Sequence, residues 1–250
     1  MKETRLIMGM PITIVIVHNS DELVRKTLNG VFDYFNYVDN TFSVYKHDSE
    51  ISRINRGELL LENASADMRE IFLLAEETKK QTDGYFEITN RRGLLDPSGI
   101  VKGWSIYNAS KILRNTGFDN FYVNAGGDVE VGGHNEHGQK WKIGIENPFN
   151  QSEIVKTVYL TNCGIATSGT YIRGQHIYDP KQKDKLLEDI HSLTIIGPNV
   201  YEADRFATPA FAMGLSGINF IEKQKGLEGY IIDSKGIATM TSGFERFTIN

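Results

Sequence analysis

Two oxygen-bearing side chains in the segment EADRFATPAFAMG have the types and spacing needed to bind a cation. Asp204 and Thr208 are four residues apart, so on a helix they lie on the same face. A carboxylate and a hydroxyl are hard oxygen ligands that Mg²⁺ accepts together with waters and phosphate oxygens. The alternative for this pair is a helix cap or a solvent-facing helix surface. Pro209 leaves two helix boundaries open: a kinked helix from about residue 202, or a helix that begins with Thr208 as its N-cap.

A histidine in the segment RGQHIYDP is the second candidate for chemistry. His176 is followed closely by Asp179 and a proline, in a stretch that predicts a loop. A histidine with a near-neutral pKa can accept a proton from a hydroxyl group, whereas the alternative is an ordinary surface histidine. A pair of histidines, His134 and His137 in the segment HNEH, lies in a Gly-rich polar stretch, which favours a solvated loop over a metal site.

Glycine is over-represented, with 24 of 250 residues against a usual share of about 7%. Helix starts and strand ends are places where backbone amides bind phosphate groups, and hairpin turns are the alternative explanation of each glycine cluster. Neither a P-loop nor a GxGxxG motif after a strand is present. The glycines clustered beside polar residues are Gly84, Gly99, Gly103, Gly126, Gly127 and Gly169.

Amphipathic helices interleaved with short strands must position these groups. An N-terminal strand at 12–17 precedes the first helix, and Ser20 and Ser65 are suitable N-caps for the first two helices. This alternation predicts an α+β fold with mainly antiparallel sheet, and no linker divides the chain, so we expect one domain over residues 1–250. The helices are predicted over 21–37, 65–81, Gly99–Asn115 and Tyr201–Gly214, and the later strands over 120–124, 128–132, 141–145, 155–161, 192–196 and 229–233.

The composition excludes several classes of protein. A net charge of −5 argues against a sequence-independent nucleic-acid binder, so we expect no nucleic-acid partner. Cys163 is the single cysteine, which excludes a disulfide framework and zinc sites built on two or more cysteines. No apolar window approaches the roughly 18 residues of a membrane span. The N-terminal segment lacks a cleavage site and a lipobox cysteine, so we expect a cytoplasmic protein without a membrane span.

Seven segments in order along the chain resemble one family, the FAD:protein FMN transferases, or ApbE family of flavin transferases. The resemblance implies an ApbE-like mixed fold, mainly antiparallel sheets flanked by helices. It also implies a Mg²⁺-dependent reaction that splits FAD, releases AMP and joins FMN by a phosphoester bond to a Thr or Ser hydroxyl of an acceptor flavoprotein. The segments are MGMPITI, FSVYKHDSEISRIN, TDGYFEIT, DPSGIVKGWSIYNAS, VNAGGDVEVGG with WKIGIENP, GIATSGTYIRGQHIYDP and SLTIIGPNVYEADRFATPAFAMG.

The resemblance also implies roles for individual residues. Mg²⁺ would be held by the main-chain carbonyl of Gly99 and by the side chains of Asp204 and Thr208. His176 would be the base for the acceptor hydroxyl, and Asp179 would orient it. Lys102 would meet the phosphate charge. The residues implied to contact the cofactor are Met8, Tyr45, Tyr85, Phe86, Glu87, Lys102, Gly126, Gly127, Asp128, Thr167, Ser168 and Tyr178.

Three departures from the family pattern bear on individual contacts of the site, and the last two also leave a non-catalytic function open. Glu87 replaces an aspartate, only Asn90–Leu95 bridge two motifs that are usually further apart, and Pro209 interrupts the Asp-x-x-x-Thr helix. The short bridge predicts a more open FAD pocket. The alternatives are an FAD pyrophosphatase, in which water replaces the acceptor hydroxyl, and a flavin-binding protein without catalysis.

Overall fold

Ten strands and six α-helices form the part of the chain that the computed structural model describes, residues 1–169, 178–181 and 187–249. The strands are β1 (Lys2–Ile7), β2 (Met10–Ile16), β3 (Phe121–Ala125), β4 (Asp128–Gly132), β5 (Trp141–Asn147), β6 (Asn150–Leu160), β7 (Cys163–Gly169), β8 (Ile190–Gly197), β9 (Glu228–Asp233) and β10 (Ala238–Met240). The helices are α1 (Asp21–Phe42), α2 (Glu50–Asn55), α3 (Ala66–Gln81), α4 (Ser98–Asn115), α5 (Val200–Ala212) and α6 (Gly217–Glu222).

An eight-stranded antiparallel sheet in the order β1-β2-β3-β4-β7-β8-β9-β10 is the framework of the fold. Two apolar clusters join one face of this sheet to helices α1, α4, α5 and α6. The hairpin of β5 and β6 packs on the other face, over side chains of β4, β7, β8 and β9. The expected α+β fold, mainly antiparallel sheet with flanking helices, is therefore confirmed.

The strand predicted at 12–17 is present as β2, but it is the second strand of a hairpin, because the unpredicted strand β1 precedes it. Strand β1 pairs with β2, and the two strands meet at the pair Ile7 and Met10. The connecting residues Met8 and Gly9 both have positive φ, 56° and 70°. Two successive positive φ angles are typical of a tight two-residue hairpin turn. The alternation of polar and apolar residues in β1 is weak because this edge strand is mostly exposed.

Side-chain capping differs between the two helices for which a serine cap was predicted. Ser65 precedes α3 and its side chain accepts a hydrogen bond from the Met68 amide at 3.2 Å. Ser20 stands at the N-cap of α1 but makes no side-chain cap bond, and its own amide donates to His18 Nδ1 at 3.0 Å. Over the described residues, no helix is both long and apolar enough to cross a bilayer.

The observed start of helix α5 decides between the two helix boundaries that are compatible with Pro209. The helix runs from Val200 to Ala212, with Asn199 as its N-cap and Pro209 inside it, so the alternative in which Thr208 begins the helix is wrong. Proline lacks the amide that would bond the carbonyl of Arg205. Asp204 and Thr208 therefore both lie within one helix, one turn apart on the same face.

Gly30 gives a stability prediction that is independent of function. This glycine lies in the exposed face of α1, and a Cβ atom placed on it would meet nothing within 4 Å. Gly30→Ala should raise the free energy of unfolding by about 0.5–1 kcal/mol, because alanine loses less backbone entropy in a helix. Urea unfolding of both proteins measures the change, and a lower midpoint for Gly30→Ala would contradict the expectation.

Candidate functional site

A cavity of about 710 Å³ lies where the turn between β3 and β4 meets the first turns of α4 and one face of α5. Its volume falls within the roughly 300–1,000 Å³ of sites that hold cofactors and other small molecules. Segment 85–98 and the end of β7 complete the wall. Twelve of the residues predicted to bind cofactor or metal line it: Tyr45, Tyr85, Phe86, Glu87, Gly99, Lys102, Gly126, Thr167, Ser168, Tyr178, Asp204 and Thr208.

Helices α4 and α5 approach each other at a glycine. A Cβ atom placed on Gly103 would lie 2.5 Å from the Cβ atom of Asp204 and 3.0 Å from the carbonyl oxygen of Val200. The Gly103 amide donates a hydrogen bond to Asp204 Oδ2 at 2.7 Å. In a regular α-helix this amide bonds the carbonyl four residues earlier, which is that of Gly99. The bond therefore holds a carboxylate of α5 beside the first turn of α4.

Two buried carboxylates share a lysine at this crossing. Lys102 Nζ lies 2.6 Å from Asp128 Oδ2 and 3.9 Å from Asp204 Oδ1. Asp128 is 1% and Asp204 5% exposed, so neither charge is solvated by bulk water. Burial raises the pKa of Asp204 to about 7; Lys102 opposes this rise, and the nearby Asp128 carboxylate adds to it. An additional cation beside Asp204 would reduce the cost of burying these charges.

The groups facing one another across the crossing are oxygen donors. A Cβ atom placed on Gly99 would lie 3.2 Å from the Phe86 ring and 4.0 Å from Thr208 Oγ1, so the first turn of α4 stands opposite Thr208. No cluster of three or more His, Cys, Asp or Glu side chains suited to a metal occurs in the described ranges. A cation here would need a carboxylate, a hydroxyl and a carbonyl, a donor set that fits Mg²⁺ better than a transition metal.

The cavity wall also carries groups suited to an anion. Ser98 and Gly99 begin α4 at the wall, where the amide ends of the helix favour negative charge. Thr167 and Ser168 reach the same wall from the end of β7. The Thr167 amide donates to Asp128 Oδ1 at 3.0 Å, and its hydroxyl lies 2.8 Å from Thr194 Oγ1. Thr167 is therefore fixed by two neighbouring strands.

Two tyrosines of the cavity wall, one in segment 83–91 and one in segment 178–181, each stack against a cationic side chain of the other segment. The guanidinium carbon of Arg91 lies 4.1 Å from the ring centre of Tyr178, and Lys181 Nζ lies 4.3 Å from the ring centre of Tyr85. Lys181 also pairs with Asp83 at 2.5 Å. These cation–π contacts and the ion pair attach segment 178–181 to segment 83–91.

Glu87, which replaces the aspartate expected from the family pattern, is bonded within the wall. Its Oε2 lies 2.6 Å from Lys79 Nζ, and its Oε1 accepts from the Thr89 amide at 3.2 Å. Burial acts to raise the pKa of Glu87, but the bonds from Lys79 and from backbone amides outweigh it, so the pKa lies below its ordinary value. The longer side chain reaches the end of α3 and remains charged.

The short connection at 90–95 is a tight turn attached to α2. The Asn55 side chain makes two bonds to Leu95, donating to its carbonyl at 2.9 Å and accepting from its amide at 2.8 Å. Asn90 Oδ1 accepts from the amides of Arg92 and Leu94. Asn90 and Asp96, at the two ends of this turn, both line the cavity.

Three predicted cofactor contacts lie just outside the wall. Met8 occupies the turn between β1 and β2, whereas its neighbours Gly9, Met10 and Pro11 line the cavity. Gly127 follows Gly126 in the turn between β3 and β4 and is exposed there. Asp128 is not among the lining residues, but it contacts three that are: it pairs with Lys102, accepts from the Thr167 amide and lies beside Asp204.

Of the predicted catalytic residues, Lys102 lines the cavity, whereas Asp179 is not among the described residues of its wall. Asp179 is buried, and its Oδ1 accepts from the Lys181 amide at 2.8 Å. His176 lies outside the described residues. Met10 lines the cavity and Gly103 bonds Asp204, but neither was among the predicted site residues. Gly103 lies inside α4, and nothing in the neighbouring sequence indicates that a second helix contacts it.

Known proteins resemble this chain in sequence and in fold. A protein named FAD:protein FMN transferase from Haemophilus influenzae is 28% identical over 167 residues, which is 62% of this chain and 48% of that protein. Another of the same name from Vibrio cholerae is 31% identical over 129 residues, which is 48% of this chain and 39% of that protein. The chain thus spans about half the length of the curated relatives it matches.

Solved structures show the same fold over the whole chain. The flavin transferase ApbE from Vibrio cholerae superposes with a TM-score of 0.86 at 21% identity, covering 99% of this chain and 98% of that one. An ApbE protein from Thermotoga maritima gives 0.88 at 20% identity, covering 100% and 99%. The sequence model of the ApbE family matches residues 8–93 and 89–231. This chain therefore belongs to the ApbE family.

Proposed function

We propose that the chain is a Mg²⁺-dependent FAD:protein FMN transferase. It would move FMN from FAD to a Thr or Ser hydroxyl of an acceptor flavoprotein, forming a phosphoester bond and releasing AMP. The observation that carries this proposal is the crossing of α4 and α5, where oxygen donors face one another beside two buried carboxylates in a cofactor-sized cavity. Relatives in the ApbE family that bear the transferase name support the same activity.

The residues at the crossing fit the magnesium that this activity requires. The Gly99 carbonyl, Asp204 and Thr208 would hold the ion, with remaining positions for waters and phosphate oxygens. When bound, Mg²⁺ supplies Lewis-acid polarisation of the pyrophosphate and stabilises the charge of the AMP leaving group. The bond from the Gly103 amide to Asp204 supports this role, because it orients the carboxylate before any ligand arrives.

The remaining wall residues would bind and orient FAD. Lys102 would place positive charge beside the pyrophosphate, and the hydroxyls of Thr167 and Ser168 would donate to its oxygens. Gly126, which lines the cavity with a φ of 59°, would allow the turn between β3 and β4 to approach the ligand closely. A Cβ atom there would also lie 2.8 Å from Met10 Sδ, so a larger residue would displace the Met10 side chain. The flat side chains Tyr45, Tyr85, Phe86 and Tyr178 would contact the ring systems of FAD.

A base must take the proton of the acceptor hydroxyl as its oxygen attacks phosphorus, and we assign this role to His176, with Asp179 as its orienting partner. His176→Ala should retain FAD binding but lose transfer by about 10²-fold or more, the usual contribution of a general base. Flavin transfer and FAD affinity are measured on the same variant. His134→Ala, an exposed histidine, is the control and should transfer at the wild-type rate; equal rates for both variants would remove the assigned role.

Incubation with FAD, Mg²⁺ and an acceptor protein from the same genome tests the activity. We expect a flavin that remains on the acceptor in a denaturing gel. AMP and free FMN produced at multiple turnover without acceptor would instead identify a pyrophosphatase. Tight FAD binding without AMP release under any metal would identify a non-catalytic binding protein.

A further inference from the structure

A buried glutamate in the large sheet contacts both helices of the site without lining the cavity. Glu130 lies in the middle of β4 and is 1% exposed. Its neighbours Val129 and Val131 pack in the cluster under the β5–β6 hairpin, so Glu130 faces the opposite side, where α4 and α5 lie. A carboxylate buried this deeply is costly unless hydrogen bonds and opposite charge compensate it.

The two oxygens of Glu130 bind different helices. Oε2 accepts from the amide of Val200, the first residue of α5, at 2.7 Å. Oε1 accepts from Arg114 Nη2, near the end of α4, at 3.1 Å. First-turn amides have no partner within their own helix, and negative charge at this end is favourable. Glu130 thus joins the start of α5 to the end of α4.

The start of α5 is also packed tightly on the sheet. A Cβ atom placed on Gly164 of β7 would lie 1.9 Å from the Val200 nitrogen and 2.3 Å from its Cα atom. The side chain of the N-cap residue Asn199 accepts from the Glu202 amide at 2.9 Å. The helix is therefore held at one end by β4 and β7. Asp204 follows Val200 by about 6 Å along the helix axis, so a shift at Val200 is transmitted to Asp204.

We infer that Glu130 is a positioning residue that sets where α5 stands against α4, and so where Asp204 and Thr208 stand opposite Gly99. The identity of the ligand, Mg²⁺, rests on the proposed function, whereas the positioning of α5 against α4 by Glu130 does not. The Gly103 amide reports that geometry directly, because its acceptor is Asp204 Oδ2. If α5 loses its anchor, this amide loses its partner.

Glu228 provides a matched control on the same sheet. It is also a mostly buried strand carboxylate that accepts from a backbone amide, that of Gly243, at 3.1 Å and pairs with an arginine, Arg246, at 3.3 Å. Its partners lie at the C-terminal end of the described chain and not on α4 or α5. Glu228→Ala should therefore lose stability, as Glu130→Ala does, without moving the site.

The test compares Glu130→Ala, Glu130→Gln and Glu228→Ala with the wild type. The first readout is the dissociation constant of Mn²⁺, added as the metal alone and followed by electron paramagnetic resonance of the free ion. Substitution of a residue that orients a metal ligand without binding the metal commonly lowers the metal affinity by about 10–100-fold. We expect a loss of that size in Glu130→Ala, near wild-type affinity in Glu228→Ala, and recovery in Glu130→Gln, which keeps an oxygen for the Val200 amide.

The second readout is hydrogen exchange of the Gly103 amide without metal. Glu130→Ala should accelerate it by about tenfold more than Glu228→Ala of similar global stability. Equal Mn²⁺ affinities and equal Gly103 exchange in the two alanine variants would overturn the inference. If the wild type binds no Mn²⁺, the proposed metal site fails, and Gly103 exchange alone decides the positioning role. If Glu130→Ala does not fold, the same comparison is made with Glu130→Leu, which fills more of the space but also lacks an oxygen for the Val200 amide. Mn²⁺ affinity and Gly103 exchange equal to those of Glu228→Leu would then count against the inference.

Discussion

Asp204→Asn is expected to abolish Mg²⁺-dependent cleavage of FAD while leaving the protein as stable as the wild type or more stable. Asparagine keeps the shape of the side chain and an oxygen that can accept from the Gly103 amide, so the α4–α5 crossing should persist. It removes a buried charge whose pKa is raised by burial and by the Asp128 carboxylate. Lys102 and Asp128 remain as a pair at 2.6 Å.

The loss of activity should be about 10³-fold or more, because a bound metal commonly supplies several kcal/mol of charge stabilisation in the transition state. AMP release under saturating Mg²⁺ measures the activity, and urea unfolding measures the stability. Asp233→Asn is the control: this aspartate of β9 accepts from the Lys235 and Ile237 amides outside the cavity wall. An Asp204→Asn protein that releases AMP at the wild-type rate would contradict the metal assignment.

Gly103→Ala is expected to reduce FAD cleavage by about 10²-fold through a change of a single methyl group. The new Cβ atom would overlap the Cβ atom of Asp204 at 2.5 Å, so one of the two helices must move. Displacement of a positioned group by about 1 Å can cost this much in rate. Overpacking should also lower the free energy of unfolding by about 1–3 kcal/mol.

Gly30→Ala is the matched control, since it is the same substitution in a helix where the new Cβ atom meets nothing. It should gain stability and retain full activity. Steady-state AMP release and urea unfolding of both variants give the comparison. Wild-type kinetics in Gly103→Ala would mean that the close contact of α4 and α5 does not set the geometry of the site.

The sequence predicts the elements of this fold better than the contacts among them. Helix α3 begins after Ser65 as expected, because its cap and its apolar spacing are both local features. The α5 boundary was open because Pro209 is compatible with a helix start and with a helix interior. In the structure Pro209 lies in the helix interior, where α5 packs against the sheet. This packing joins segments that are distant in the chain, so no local sequence pattern predicts it.

Residue type and spacing predict the Asp204–Thr208 pair, and the family resemblance predicts most of the other site residues, but neither predicts the contacts that support them. Gly103 and Asp204 are 101 residues apart in the chain, so no spacing rule relates them. Glu130 reads as an ordinary polar residue in a strand, and only the sheet order places it under the start of α5. Gly30 and Gly103 look alike in sequence, yet one faces solvent and the other faces an aspartate.

The central claim is that this site transfers FMN to a protein hydroxyl and does not merely bind or hydrolyse FAD. The most direct measurement is quantitation of AMP released and of FMN covalently bound to an acceptor protein, by mass spectrometry, in one reaction with Mg²⁺. We expect one FMN on the acceptor, on a Ser or Thr residue, for each AMP released, and neither product with Asp204→Asn. AMP without acceptor-bound FMN, or no AMP at all with an authentic acceptor, would contradict the claim.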